Sequence, residues 1–181
     1  MKVVGIVGSP RAESNTEILV QKVLEGAKSK GAEVEIFKIN DMNINWCQGC
    51  FYCQQYGECK QKDDMQLIYK AIKSADALVI GTPIYMGHVT AQTKTFLDRL
   101  LAMINVFKGD SALKGKNLAI IYSQGRGNDG ETVLKELGTR LSNFGMKFVG
   151  IVGGNGLNEP GAVKKKEDLL KAAYQLGTRI V

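Results

Sequence analysis

Five short runs of mostly apolar, often β-branched residues recur along the chain and predict the strands of a sheet. They cover Val3 to Val7, Val34 to Ile39, Ala77 to Ile80, Leu118 to Tyr122 and Phe148 to Val152. Because apolar positions outnumber polar ones in every run, we expect each strand to be short and buried on both of its faces. Strands of this kind belong to the centre of a parallel sheet.

Between these runs, apolar residues recur at helical spacing and predict five helices. The predicted helices cover Thr16 to Lys30, Asp64 to Ser74, Val89 to Met103, Glu131 to Phe144 and about Ala162 to Thr178. Alternating strands and helices predict an α/β fold, a flavodoxin-like three-layer sandwich whose five-stranded parallel sheet has the order 2-1-3-4-5. No repeat or linker divides the chain, so we expect residues 1–181 to form a single domain. Ligands of such sheets bind at the carboxyl ends of the strands, near the switch point between strands 1 and 3.

Composition excludes several other classes of protein. The 181 residues include 24 Lys and Arg against 18 Asp and Glu, a net charge of +6, and 44% are hydrophobic, which excludes a disordered chain. No apolar stretch approaches the roughly 18 residues of a membrane helix, and the N-terminal apolar run is too short for a signal peptide. We therefore expect a cytoplasmic protein with no membrane partner. The basic residues, including Lys164 to Lys166, are dispersed and no nucleic-acid motif occurs, so we expect no nucleic-acid partner.

The loop between the first strand and the first helix, Gly8 to Thr16, is rich in hydroxyl groups and contains one arginine. A helix N-terminus offers unpaired N–H groups and partial positive charge, and hydroxyl groups can satisfy further oxygens, so this loop suits a phosphate. The alternative is an ordinary capping box formed by Ser14 and Glu17, which needs no ligand. The loop has neither the dinucleotide motif G-x-G-x-x-G nor a triphosphate-binding loop, which favours a monophosphate.

Two further loops follow the third and fourth predicted strands. Residues 81–90 are apolar, aromatic and glycine-rich, which suits a flat apolar ligand; the alternative is that they cover the core or a subunit contact. We expect Pro83 to end the third strand, and we assign no role to His88, the only histidine. Gly125 to Gly130 matches G-x-G-x-x-G but follows the wrong strand, so we interpret it as a glycine-rich edge that a flat ring can approach.

All four cysteines lie within a 13-residue window, inside a long segment after the second strand that covers about residues 41–63. They are Cys47, Cys50, Cys53 and Cys59. This clustering excludes a disulfide framework spread over the fold and favours metal or redox chemistry. The C-x2-C-x2-C run resembles the bacterial ferredoxin pattern for a [4Fe-4S] cluster, and with no other cysteine in the chain Cys59 would be the fourth ligand. Zinc, free thiols and a labile disulfide remain alternatives.

Read in chain order, these motifs resemble a known family. The motifs are Gly8-Ser9-Pro10-Arg11 through Ser14-Asn15-Thr16, then Cys47-Gln48-Gly49-Cys50 to Cys59 with Lys62-Asp63-Asp64-Met65, then Thr82-Pro83-Ile84-Tyr85. They are similar to the NADPH-dependent FMN reductase superfamily and, more narrowly, to its iron-sulfur flavoproteins. The resemblance covers nearly the whole chain and implies an oxidoreductase whose cofactors are FMN and a [4Fe-4S] cluster. Because the cofactors carry the chemistry, we assign no catalytic acid or base.

The resemblance also implies the residues that contact each cofactor. The FMN phosphate would be bound by Ser9, Arg11, Ser14, Asn15 and Thr16. The isoalloxazine ring would lie against Pro83, Ile84, Tyr85, Met86 and Gly87, with further contacts from Ser123, Gln124 and Gly125. The cluster would be held by Cys47, Cys50, Cys53 and Cys59, near an interface of a homodimer or homotetramer.

The resemblance further implies electron transfer from a one-electron donor such as ferredoxin to an acceptor by way of FMN. The net charge of +6 favours an acidic ferredoxin through electrostatic steering. One alternative is a cluster-free reductase that takes electrons from NAD(P)H and reduces FMN or a quinone. A second alternative is a flavodoxin-like carrier that binds FMN without catalysis.

Overall fold

A twisted parallel sheet forms the centre of the computed structural model, which describes residues 1–181. In chain order the strands are Lys2–Val7 (β1), Glu33–Lys38 (β2), Ala77–Tyr85 (β3), His88–Val89 (β4), Ile104–Asn105 (β5), Asp110–Ser111 (β6), Asn117–Ser123 (β7) and Lys147–Gly154 (β8). The five long strands pair in parallel in the order β2-β1-β3-β7-β8. The predicted order 2-1-3-4-5 is therefore confirmed.

Helices cover both faces of this sheet. They are Asn15–Lys28 (α1), Tyr52–Tyr56 (α2), Met65–Ser74 (α3), Ala91–Arg99 (α4), Gly130–Asn143 (α5) and Glu167–Arg179 (α6), with 3-10 turns at Ile39–Asp41, Leu100–Met103 and Ala162–Lys165. On β1, Val4 and Ile6 join the core that contains α3, α4 and α5, while Val3 and Val7 join the core that contains α1 and α6. The three-layer flavodoxin-like sandwich is confirmed, and no helix has the length and apolar character needed to cross a bilayer.

The two edge strands differ from the prediction that every strand is buried on both faces. β2 has no fully buried residue, and its exposed positions include Glu33 and Ile36. β8 is exposed at Lys147 and Phe148 and only partly buried along the rest of its length. Both strands have a neighbour on one side only, so solvent reaches their outer edge and outer surface. The prediction holds for β1, β3 and β7, which are flanked by other strands.

The third strand is longer than predicted, and Pro83 lies inside it. β3 continues to Tyr85 and turns back into β4, where Ile84 pairs with Val89. β1 pairs with β3 only as far as Gly81, so that side of β3 is free beyond this point and a residue without an N–H group is tolerated there. Because Val89 belongs to this hairpin, the next helix begins at Ala91 rather than at Val89.

Candidate functional site

A cavity of about 630 Å³ opens at the carboxyl edge of the sheet, where β1, β3 and β7 end. Four segments build it: the β1–α1 loop, the tip of β3, the β7–α5 loop and the segment after β8. Its lining residues are Ser9, Arg11, Ser14, Asn15, Pro83, Ile84, Tyr85, Met86, Ser123, Gly125, Arg126, Leu157, Asn158, Glu159 and Pro160. The structure therefore brings ten of the thirteen residues expected to contact FMN into one cavity, and Thr16, Gly87 and Gln124 are not among its lining residues.

The wall formed by the β1–α1 loop has the features of an anion site. Ser14 caps α1 by accepting a hydrogen bond from the Glu17 N–H at 3.1 Å, and its own hydroxyl hydrogen is left to donate. The first N–H groups of α1 have no partner within the helix, and its first residue, Asn15, lines the cavity. The second bond of a capping box, from the Ser14 N–H to the Glu17 side chain, is not formed, because the Glu17 carboxylate pairs with Lys38 instead. Ser14 thus both caps the helix and lines the cavity.

The side chains of Asn15 and Thr16 are committed to contacts within the protein. The Asn15 amide donates to the Leu157 carbonyl at 3.1 Å and the Glu159 carbonyl at 2.8 Å, and it accepts from the Val163 N–H at 2.9 Å. The Thr16 hydroxyl shares a buried hydrogen bond of 2.8 Å with Ser123. Any bond from Asn15 to a phosphate would therefore come from its backbone N–H group, and Thr16 does not line the cavity.

The β3–β4 hairpin forms the apolar wall of the cavity. Its two turn residues, Met86 and Gly87, both have positive φ, at 50° and 71°, which matches the twist of a tight two-residue hairpin. Met86 is fully exposed and Tyr85 is partly exposed, so the wall is open to solvent. His88 faces away from this cavity and lines a separate groove between α4 and α5.

Gln124 supports the β7–α5 loop from behind rather than lining the cavity. Its side chain donates to Asp129 at 2.5 Å and accepts from the Gly130 N–H at 3.0 Å, which fixes the start of α5. Ser123 and Gly125, on either side of it, line the cavity.

Five lining residues were not among the predicted contacts: Arg126 and the segment Leu157 to Pro160. That segment is held against the β1–α1 loop by Asn15 and by Arg11, whose Nη1 donates to the Asn158 carbonyl at 2.6 Å. Its signal in the sequence is the position after the last strand, at the same sheet edge as the other loops, together with the third proline of the chain, Pro160.

The four cysteines line a second, much smaller cavity of about 20 Å³. All four are free thiols, and no set of three or more His, Cys, Asp or Glu side chains is arranged around a single metal ion. The donor chemistry nevertheless fits an iron-sulfur cluster, because four thiols line one cavity. The Gly49 N–H lies 3.5 Å from Cys47 Sγ, as a donor to a cluster ligand would.

A buried ion pair lies beneath this cysteine cavity. Arg99, the last residue of α4, donates to both carboxylate oxygens of Asp63 at 2.7 and 2.9 Å, and Arg99 Nε lies 3.3 Å from the Tyr69 hydroxyl. Burial alone raises the pKa of Asp63, but hydrogen bonds from Arg99 and the Asn45 N–H outweigh it and hold that pKa below its ordinary value. Burial raises the pKa of Tyr69 above its ordinary value. Sequence reasoning missed Arg99, since nothing in the helical pattern marks this charge as buried.

Comparison with known proteins identifies the family of the chain. A sequence model of the NADPH-dependent FMN reductase family matches residues 1–153. The chain belongs to this family. An iron-sulfur flavoprotein of Archaeoglobus fulgidus is 38% identical over 181 residues, which cover 99% of this chain and 79% of that protein. An iron-sulfur flavoprotein of Methanocaldococcus jannaschii is 33% identical over 187 residues, which cover 99% of this chain and 95% of that protein.

Within the family, the chain therefore groups with the iron-sulfur flavoproteins and is a flavoprotein oxidoreductase. A solved NAD(P)H:quinone oxidoreductase from Methanothermobacter marburgensis superposes with a TM-score of 0.74 at 19% identity, over 98% of this chain and 96% of that one. This likeness concerns the fold.

Proposed function

We propose that this oxidoreductase binds FMN in the 630 Å³ cavity and a [4Fe-4S] cluster on Cys47, Cys50, Cys53 and Cys59, and passes electrons from a one-electron donor such as ferredoxin to an acceptor. The observation that carries the proposal is the gathering of all four thiols at one small cavity in a chain whose relatives are iron-sulfur flavoproteins. When bound, the cluster supplies single-electron transfer and FMN links it to two-electron chemistry.

The protein's own part in this function is binding and orientation. Ser9, Ser14 and the N-terminus of α1 offer donors to the phosphate of FMN, and Arg11 supplies a positive charge beside them. Pro83, Ile84, Tyr85 and Met86 offer an apolar surface to the flavin ring, and Ser123 and Gly125 face it from the neighbouring loop.

We further propose that the protein works as a homodimer or homotetramer. The FMN cavity and the cysteine cavity share no lining residue, so they are separate pockets of one chain. Several aromatic rings in or near the cysteine segment, residues 45–63, are exposed to solvent. Their exposed fractions are 69% for Trp46, 55% for Phe51, 59% for Tyr56 and 74% for Phe107. A second subunit that covers these rings would bring its own flavin towards the cysteines.

Light scattering of the purified protein tests this assembly. We expect a dimer or tetramer, and we expect Phe107→Ser to shift it towards the monomer, while Tyr174→Ser, on the opposite side of the sheet, leaves it unchanged. A monomeric wild-type protein would contradict the proposal.

Anaerobic purification tests the cofactors. We expect one FMN and about four iron atoms per chain. Cys59→Ala should lose iron and keep FMN, whereas Glu58→Gln, at the exposed neighbouring position, should keep both. Iron that is unaffected by Cys59→Ala would refute the ligand set, and a colourless protein that takes up no added FMN would refute the flavin site.

The second candidate is a cluster-free NAD(P)H-dependent FMN or quinone reductase. It is favoured by the match to the NADPH-dependent FMN reductase family over residues 1–153. Yellow protein that contains no iron and is bleached anaerobically by NADPH or NADH would establish it. Bleaching by reduced ferredoxin, but not by either nicotinamide, would support the cluster-containing protein.

A further inference from the structure

The cysteine segment, residues 45–63, begins and ends at one buried guanidinium. Arg99 Nη1 donates to the Asn45 carbonyl at 2.6 Å and to Asp63 Oδ2 at 2.7 Å, and Nη2 donates to Asp63 Oδ1 at 2.9 Å. The same carboxylate accepts from the Asn45 N–H at 3.0 Å. Asn45 precedes the first cysteine and Asp63 follows the last, so these bonds close the chain around all four thiols.

The middle of the segment is held by a second buried polar side chain. Gln54, which is 6% exposed, donates to the carbonyls of Leu101 and Ile104 at 3.1 and 2.8 Å and accepts from the Val106 N–H at 2.8 Å. Gln54 directly follows Cys53, and both residues belong to the short helix α2. The segment is thus fixed at both ends and at its centre to the stretch that runs from the end of α4 into β5.

We propose that Arg99 is a positioning residue for the metal site: with Asp63 and Asn45 it closes the cysteine segment before any metal binds, so that the four thiols already share one cavity. The inference rests on the proposed function, in which those thiols hold a cluster. In small metal-binding domains the site forms only as the metal binds, and the chain loses its freedom at that moment. Here Arg99 and Gln54 order the segment without metal, which leaves only the thiols, not yet arranged around a single metal ion, to be ordered by the metal.

The chemistry of the pair supports a positioning role over a simple gain in stability. The Arg99 and Asp63 side chains are only 1% and 3% exposed, and the desolvation of two charges offsets much of their attraction. A lysine at position 99 would keep the charge, but it lacks the planar fork that reaches the carboxylate and the Asn45 carbonyl together. Arg99→Lys is therefore expected to loosen the closure while keeping a positive charge in place.

Hydrogen exchange on the iron-free, FMN-loaded protein tests whether Arg99 closes the cysteine segment before any metal binds. In the wild type we expect the backbone N–H groups of residues 45–63 that hold the closure to be protected. In Arg99→Lys and in Asp63→Asn, which keeps the shape of the carboxylate, we expect them to exchange about 10–100-fold faster, the factor that corresponds to the loss of one hydrogen bond to a charged group. Lys135→Met, which breaks the exposed pair with Glu131 on α5, is the control and should resemble the wild type.

Loss of iron from the reconstituted protein to a chelator tests whether this closure positions the thiols for the metal. We expect both closure variants to lose iron about 10–100-fold faster than the wild type and Lys135→Met, while all four proteins keep one FMN per chain. Unprotected amides in wild-type residues 45–63, or wild-type protection and iron retention in both closure variants, would overturn the proposal. A wild type that binds no iron refutes the cluster itself, and the exchange experiment still decides whether Arg99 closes the segment.

Discussion

Replacement of Asn15 by Ala separates two roles for this residue, bracing the cavity wall and binding the phosphate of FMN. Both N–H bonds of its amide go to the carbonyls of Leu157 and Glu159, and its oxygen accepts from the Val163 N–H. The side chain is almost fully buried and has no donor left for a phosphate. We therefore expect Asn15→Ala to act through the wall formed by Leu157 to Pro160, which contacts the whole cofactor.

The burial of these hydrogen bonds determines how much stability the Asn15→Ala variant loses. The bonds to Leu157 and Val163 are buried, so the Ala variant leaves one carbonyl and one N–H without partners. Each buried unsatisfied group costs about 1–3 kcal/mol, and water that enters from the open cavity can recover part of this. We expect a loss of about 2–4 kcal/mol in the free energy of unfolding, which for a chain of this size lowers Tm by about 4–16 °C.

Titration with FMN and with riboflavin, which lacks the phosphate, distinguishes the two roles. If Asn15 braces the wall, Asn15→Ala weakens both ligands by the same factor. Ser14→Ala provides the contrast, because its hydroxyl can donate to a phosphate, and it should weaken FMN more than riboflavin. A larger loss for FMN than for riboflavin in Asn15→Ala, or an unchanged unfolding free energy, would refute the reasoning.

Three other predictions use simpler perturbations. Gly177→Ala should lose about 1–3 kcal/mol in denaturant unfolding, because its Cβ would lie 1.9 Å from a backbone oxygen of α1; Gly138→Ala, which meets only a movable phenylalanine ring, should be neutral or slightly stabilising. Gly125→Ala should weaken FMN binding in fluorescence titrations, since its Cβ would lie 2.2 Å from the Asn158 side chain and displace it within the cavity. The pKa of Asp63 is lowered in the folded state, so its stabilisation is complete above the ordinary carboxyl pKa of about 4 and is lost as pH falls below it. The fluorescence of the single tryptophan, which lies in the cysteine segment, should report that opening, and Asp63→Asn should remove this pH dependence.

The order of the sheet could be predicted because it depends on features that are local in sequence. Each central strand is an uninterrupted apolar run, and the alternation with helices leaves few ways to connect them. The ends of the strands near the candidate site were harder to predict. β3 runs on to Tyr85 because β4 pairs with it and β7 continues beside it as far as Ser123, and neither partner can be read from residues 81–85 alone.

Much of the candidate site could also be predicted, because the loops at one edge of a parallel sheet converge. The pattern does not reveal which groups each side chain bonds by hydrogen bonds. Thr16 and Gln124 belong to the correct loops, but the first bonds Ser123 and the second holds the start of α5. The segment from Leu157 to Pro160 escaped prediction because Asn15, more than 140 residues away in the chain, holds it in place.

Arg99 and Asp63 show why a ligand motif and the device that positions it differ in predictability. The spacing of the cysteines is local, so a short window of sequence is enough to recognise them. The closure of their segment depends on a charge 36 residues after Asp63, on a helix where Lys94 and Asp98 form an ordinary exposed pair. Arg99 differs from those neighbours only in facing inward, towards a carboxylate that already accepts two backbone N–H groups. A motif of this kind therefore identifies the thiols, and only the folded chain identifies the residue that brings them together.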